Sequence, residues 1–193
     1  WIEEDDRYTY LLSSKDLCLI EYLPQVSAVG IKSLKIEGRM KSVYYLATVT
    51  RSYRQALDAY LRDPAGWVCD PEWLAEMGKV SNRGYTTGFY FTKERISAIN
   101  LEEKYLQTYD LVGTVLEYDG AKGLILVGVR NQVSCTDEVE LLLPDRIISL
   151  DASQMFAESG FRIREAHNGY RVFFPVDLSV PLGAVLRRSL IKN

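Results

Sequence analysis

The sequence predicts an α+β chain. The closing β-α-β-α part of a larger α/β barrel or sheet is followed by a small C-terminal antiparallel β-barrel. Three observations predict it. Residues 8–62 alternate short β-rich runs with helical periodicity. Residues 105–191 carry recurrent short β-rich runs separated by turn signals. The stretch between them shows neither pattern. The expected organisation is 1–66 for the α/β part, 67–104 for a connector and 105–193 for the barrel.

The first region opens with a β-rich run, Tyr8–Leu12, and an N-cap signal at Ser13 with Asp16 three residues on. Leu17, Ile20, Leu23 and Val26 then recur at helical spacing. Pro24 predicts a break and a restart with proline in the new first turn. Gly30 is the expected C-cap. Ser33 to Gly38 reads as a buried-type strand ending at a glycine. A long helix is expected from Ser42, with Leu46, Val49, Tyr53, Ala56, Leu57 and Tyr60 as its apolar stripe. Asp63 and Pro64 end it. Strand–helix alternation implies a parallel sheet, and two parallel strands do not stand alone, so further strands are expected from elsewhere.

In the connector, Pro71–Met77 predicts a short helix, 82–91 an extended aromatic segment and Lys93–Lys104 a polar loop. The barrel strands are expected at Leu111–Tyr118, Gly123–Val129, Glu138–Leu143, Ile147–Leu150, Phe161–Glu165, Gly169–Phe174 and Ala184–Ser189. Asn168-Gly169 between apolar flanks predicts a hairpin.

Composition narrows the function classes. The 193 residues are 47% apolar and 25% charged, with a net charge of −3. That balance suits a packed globular protein and gives no overall basic footprint for nucleic acid. No run approaches the roughly 18 apolar residues of a membrane span. The first residue is Trp1, and the acidic opening reads as a cut inside a longer chain. Cys18, Cys69 and Cys135 are odd in number, widely spaced and without a Cys-x-x-Cys pair, so a reducing cytoplasm is expected.

The candidate chemistry gathers at one strand end. Glu37, Arg39 and Lys41 follow the expected strand 33–38, and groups at such ends face the active site of α/β barrels. A carboxylate beside two cations can hold an anion or tune proton transfer; as structure, the same trio would brace the turn. Arg83 and Tyr85, with Phe89, Tyr90 and Phe91, offer substrate contacts, base stacking among them, or packing. His167 is the one histidine, in an expected turn with no nucleophile placed beside it.

Three segments together resemble the collagenase-like peptidase family, peptidase family U32. They are 14–18 (SKDLC) leading to 33–42 (SLKIEGRMKS); 83–90 (RGYTTGFY); and 111–115 (LVGTV) with 137–140 (DEVE). Two departures stand out. Asn82 occupies a position where the family usually carries histidine, and Thr136-Asp137 replaces a Gly-Asp turn. The resemblance implies the end of a TIM-like α/β barrel, the connector and the C-terminal β-barrel. It implies an RNA-modifying, tRNA-hydroxylating enzyme whose catalytic half lies mostly outside this chain. A collagenase-type protease and a non-catalytic assembly or substrate-positioning module are the alternatives. It also implies an iron–sulfur cluster in the full-length protein. Cys18 is the one candidate ligand here, and a cluster needs four thiolates, so none is expected in this chain. The implied partners are the missing N-terminal part of the same protein and RNA, with no membrane.

Overall fold

The computed structural model describes residues 14–91 and 105–191, together with residue 7 and the backbone of 2–4 and 9–11. The expected cap at Ser13 and the loop at 93–104 lie outside the described residues. The chain forms two compact units, Trp1–Gln107 and Thr108–Asn193.

In the first unit, β1 (Ile2–Glu4) pairs antiparallel with β2 (Thr9–Leu11). The parallel pairing lies elsewhere, between β3 (Asp16–Leu17) and β4 (Tyr85–Thr86), with Asp16 opposite Tyr85. The N–H groups of Asp16 and Cys18 donate to the carbonyls of Gly84 and Thr86, each at 2.9 Å. This ladder corrects the expected helix from Leu17, because the backbone that would start it is engaged. A 3₁₀ turn, Ile20–Tyr22, follows, and α1 (Leu23–Ala28) begins with Pro24 in its first turn. Gly30, at φ +79°, follows the end of α1.

The expected strand 33–38 is not a strand. The segment is irregular and mostly exposed. Among the described residues its β-rich sequence has no neighbour to receive its backbone hydrogen bonds, and propensity without a ladder does not make a strand. Gly38 also has a packing reason, since a Cβ there would lie 2.1 Å from the Leu46 side chain.

Helix α2 (Val43–Arg62) starts where expected, with Ser42 Oγ accepting the Tyr45 N–H at 3.1 Å. Its buried face is wider than the predicted stripe. Tyr44, Tyr45, Thr48, Val49, Ser52 and Ala56 are buried, whereas Leu46 is 37% exposed. Helix α3 (Pro71–Lys79) packs against α2 and is capped by Asp70, whose side chain accepts the Glu72 N–H. Trp67 fastens the corner by donating Nε1–H to the Ala56 carbonyl and stacking on Trp73.

The second unit is built on a seven-stranded antiparallel sheet. In chain order its strands are β5 (Tyr109–Asp119), β6 (Leu124–Val129), β8 (Glu138–Leu142), β9 (Ile147–Asp151), β10 (Phe156–Ala157), β12 (Arg171–Pro175) and β13 (Val185–Ser189). Their order across the sheet is β10-β12-β6-β5-β13-β8-β9. No ladder joins β10 to β9 among the described residues, so the expected closed barrel is corrected to an open sheet around a core. Val112, Ile125, Val127, Leu141, Met155, Phe174 and Leu186 in that core are wholly buried.

The short strands β7 (Val133–Ser134) and β11 (Glu165–Ala166) pair with each other. The predicted Asn168-Gly169 hairpin is therefore corrected: β11 and β12 flank the turn but pair with different strands. The long strand expected at Phe161–Glu165 shrinks to β11 and a bridge between Arg162 and Phe156.

One charged pair is built into this unit. Arg187, fully buried, donates from Nε and Nη2 to Glu140 Oε2 at 2.8 and 2.7 Å, and lies over the Tyr109 ring at 4.5 Å. Glu140 is its cross-strand partner. Arg188 donates to Asp137 at 2.9 Å, and Asp137 also accepts the Ser134 N–H, which gives the Thr136-Asp137 turn its own brace.

Candidate functional site

In the first unit a cleft of about 540 Å³ lies between α2, the β3–α1 segment and the loop 34–41. Leu19, Leu23, Val49 and Leu57 make its walls apolar, and charge is concentrated around them. Lys35, Arg39, Lys41, Arg54 and Arg83 line it against two carboxylates, Asp16 and Glu37. On a chain of net charge −3, this is a local excess of positive charge. Such focusing favours an anionic ligand.

The hub is Asp16, whose side chain is 10% exposed. Its Oδ2 accepts from Lys41 Nζ at 3.1 Å and from the Arg83 backbone N–H at 3.3 Å. Its Oδ1 accepts from Arg83 Nη2 at 3.1 Å. Lys41 also donates to the Ser81 carbonyl and stands over the Tyr45 and Tyr105 rings at 4.7 and 5.6 Å. One carboxylate thus ties the start of β3, the entry to α2 and the turn before β4, leaving a positive surplus on the pair of cations. Charge-assisted bonds of this kind are the strong ones.

The predicted trio divides. Lys41 pairs with Asp16 rather than with Glu37. Glu37 accepts the Arg39 backbone N–H at 3.0 Å and faces Lys35 at 3.7 Å, both side chains being well exposed. The Arg39 guanidinium has no ion pair among the described residues. Arg83 lines the same cleft. Tyr85 does not line it: its hydroxyl donates to the Met77 carbonyl at 2.7 Å, and burial pushes its phenol pKa up. Asn82, at the position of the family histidine, is buried and serves the backbone. Its Oδ1 accepts the Gly84 N–H at 2.9 Å and its Nδ2 donates to the Val80 carbonyl at 2.8 Å.

Cys18 is buried behind the cleft, with Sγ 3.7 Å from the Tyr53 hydroxyl, which itself accepts the Leu19 N–H at 3.0 Å. Burial raises the pKa of both Cys18 and Tyr53. A protonated, enclosed thiol is the reverse of what a nucleophile or cluster ligand needs. Among the described residues no three His, Cys, Asp or Glu side chains converge as metal ligands. The residues present therefore do not fit an iron–sulfur cluster by themselves. His167 is exposed in the second unit, 3.9 Å from Glu165 and edge-on to Tyr170.

Asp16 and Tyr53 are the residues that sequence reasoning missed. Asp16 carried a signal, an acid in a capping pattern, but its partner Arg83 is 67 positions away. No local pattern reports that pairing.

Fold and cleft together define a two-unit protein, a mixed α/β unit with a cationic cleft followed by an antiparallel β unit. The profile of Peptidase family U32 matches residues 2–100, and that of the Peptidase family U32 C-terminal domain matches residues 107–187. The chain belongs to peptidase family U32.

It is 43% identical over 144 residues to tRNA hydroxylation protein P1 of Bacillus subtilis, covering 74% of this chain and 34% of that protein. It is 34% identical over 190 residues to tRNA hydroxylation protein P of Escherichia coli, covering 96% and 41%. It is 33% identical over 183 residues to a collagenase of Porphyromonas gingivalis, covering 91% and 43%. The chain thus spans well under half the length of these curated relatives. Among the described residues no helix is long and apolar enough to cross a membrane.

Proposed function

We propose that the chain is the C-terminal part of an RNA-modifying, tRNA-hydroxylating enzyme, and that its cleft holds an anionic stretch of the substrate. The observation that carries this reading is the cationic cleft on an acidic chain. The similarity to relatives of that name, 43% identity over 144 residues and 34% over 190, supports the same reading. Arg39 and Lys41 would take phosphate oxygens, Glu37 would orient the neighbouring groups, and Asp16 would keep Lys41 and Arg83 in place. The segment 33–38 would become a strand of a TIM-like barrel once neighbouring strands are supplied by the remainder of the protein. An iron–sulfur cluster of the whole enzyme would draw its cysteines from that remainder too.

The test is genetic and chemical. Deleting the gene should remove hydroxylated nucleosides from total tRNA, as read by mass spectrometry. The full-length protein should restore them, and an Arg39→Gln, Lys41→Met double variant should not. Unchanged tRNA on deletion would sink the reading.

A second reading, a collagenase-type protease, is favoured by the Porphyromonas gingivalis relative. Gelatin cleavage by the pure full-length protein, lost in the same double variant, would move it to first place.

A further inference from the structure

The four aromatics of residues 85–91 fall into two kinds. Tyr85 is anchored through its hydroxyl to Met77, and Phe91 stacks on Tyr22 with ring centroids 4.0 Å apart. Between them, Phe89 and Tyr90 are 68% and 71% exposed. Two adjacent large rings left in solvent ask for a partner more than scattered apolar residues do.

The turn that presents them is braced. Thr86 Oγ1 accepts the Gly88 N–H at 3.1 Å, and the Tyr90 N–H donates to the Thr87 carbonyl at 3.3 Å. Gly88 sits at φ +62°, and a Cβ there would also lie 3.3 Å from Leu17 Cδ1. Leu17 lines the cationic cleft. The turn therefore rests on a wall of the cleft and presents both exposed rings beside it.

We propose that Phe89 and Tyr90 form a stacking platform for unpaired nucleobases of an RNA strand whose phosphates enter the cleft. This rests on the RNA reading above and adds the residues and the structural class of the RNA. The charge supports a polyanion over an apolar protein partner. The Arg39 guanidinium and its neighbours supply contacts to the backbone, and aromatic faces accept any base. The platform would contribute affinity without sequence preference, because every base has a π-face.

The experiment uses the full-length protein and a fluorescein-labelled oligouridylate of about ten nucleotides, near the site sizes of single-strand binders. Anisotropy is read across a salt series. The Phe89→Ala, Tyr90→Ala double variant should bind roughly 10- to 100-fold more weakly with the same salt slope. Tyr90→Trp should retain affinity. Arg39→Gln should instead reduce the slope by about one phosphate contact. Wild-type protein that binds neither this probe nor bulk tRNA would overturn the RNA reading and the platform with it. RNA binding left intact in the double variant would overturn the platform alone. So would a loss that Tyr90→Trp shares or that changes the salt slope, since either marks a structural role for the turn.

Discussion

The two units solve the burial problem differently. The second encloses its own core: residues from β5, β6, β8, β12 and β13 reach zero exposure, and even a charged residue, Arg187, is taken inside with its partner. The first leaves apolar side chains open. Leu17 is 56% exposed, Val29 74%, Ile31 52% and Met40 92%. Its one parallel ladder is two residues long. A sheet that carries its own neighbours satisfies its backbone and its core together, whereas a parallel segment depends on strands placed beside it. The contrast fits the proposal that the first unit works as part of a larger barrel.

Phe174→Ala removes a fully buried ring from the second unit and should cost about 3–5 kcal/mol. The urea midpoint followed by far-UV circular dichroism measures it, and an unchanged midpoint would deny that this unit has a core of its own. Glu140→Gln removes the negative charge that faces the buried Arg187 guanidinium and should cost about 3 kcal/mol in the same assay. An Arg187→Met, Glu140→Leu pair should recover most of the loss, because burying the charges was itself costly.

In the first unit the corresponding change is Asp16→Asn. It removes the charge that three donors share and should cost about 1–3 kcal/mol. Trp1, Trp67 and Trp73, the only tryptophans of the chain, all belong to the first unit, so tryptophan fluorescence reports on it. A midpoint unmoved by Asp16→Asn would reduce the hub to a surface contact.

The smallest expected effect is a pH dependence. Cys18 and Tyr53 are raised by burial, and Cys69 is pushed from 9.0 up to about 11, chiefly by burial. Groups with raised folded pKa values contribute stability that is complete below their unfolded pKa and is lost as pH climbs through the folded one. The first unit should therefore hold its fluorescence midpoint from pH 7 to 9 and lose it gradually between about 9 and 11. A midpoint that stayed flat over that window would show the thiols to be solvated.

Much of the local structure was legible in the chain itself. The start of α2 at Ser42, the restart of helix at Pro24 and the short helix at Pro71 came from capping and proline geometry, which act within a few residues. The strands β5, β6, β8, β9 and β13 came from β-rich runs bounded by turns. The U32 membership was legible in the segment 33–42. Of the candidate site, Glu37, Arg39, Lys41 and Arg83 were named from their sequence, and all four line one cleft.

What only the tertiary structure decided was pairing. Lys41 could be read as a partner of Glu37 until Asp16 was brought to it by the β3–β4 ladder. Asn168-Gly169 looks like a hairpin locally, yet its flanking strands find better ladders in β7 and β6. The stretch 33–38 has every local mark of a strand and forms none here. A cap or a proline constrains its own neighbours through bonded geometry. A ladder, an ion pair or a closed core needs residues far along the chain to arrive at one place, and only the assembled fold brings them there.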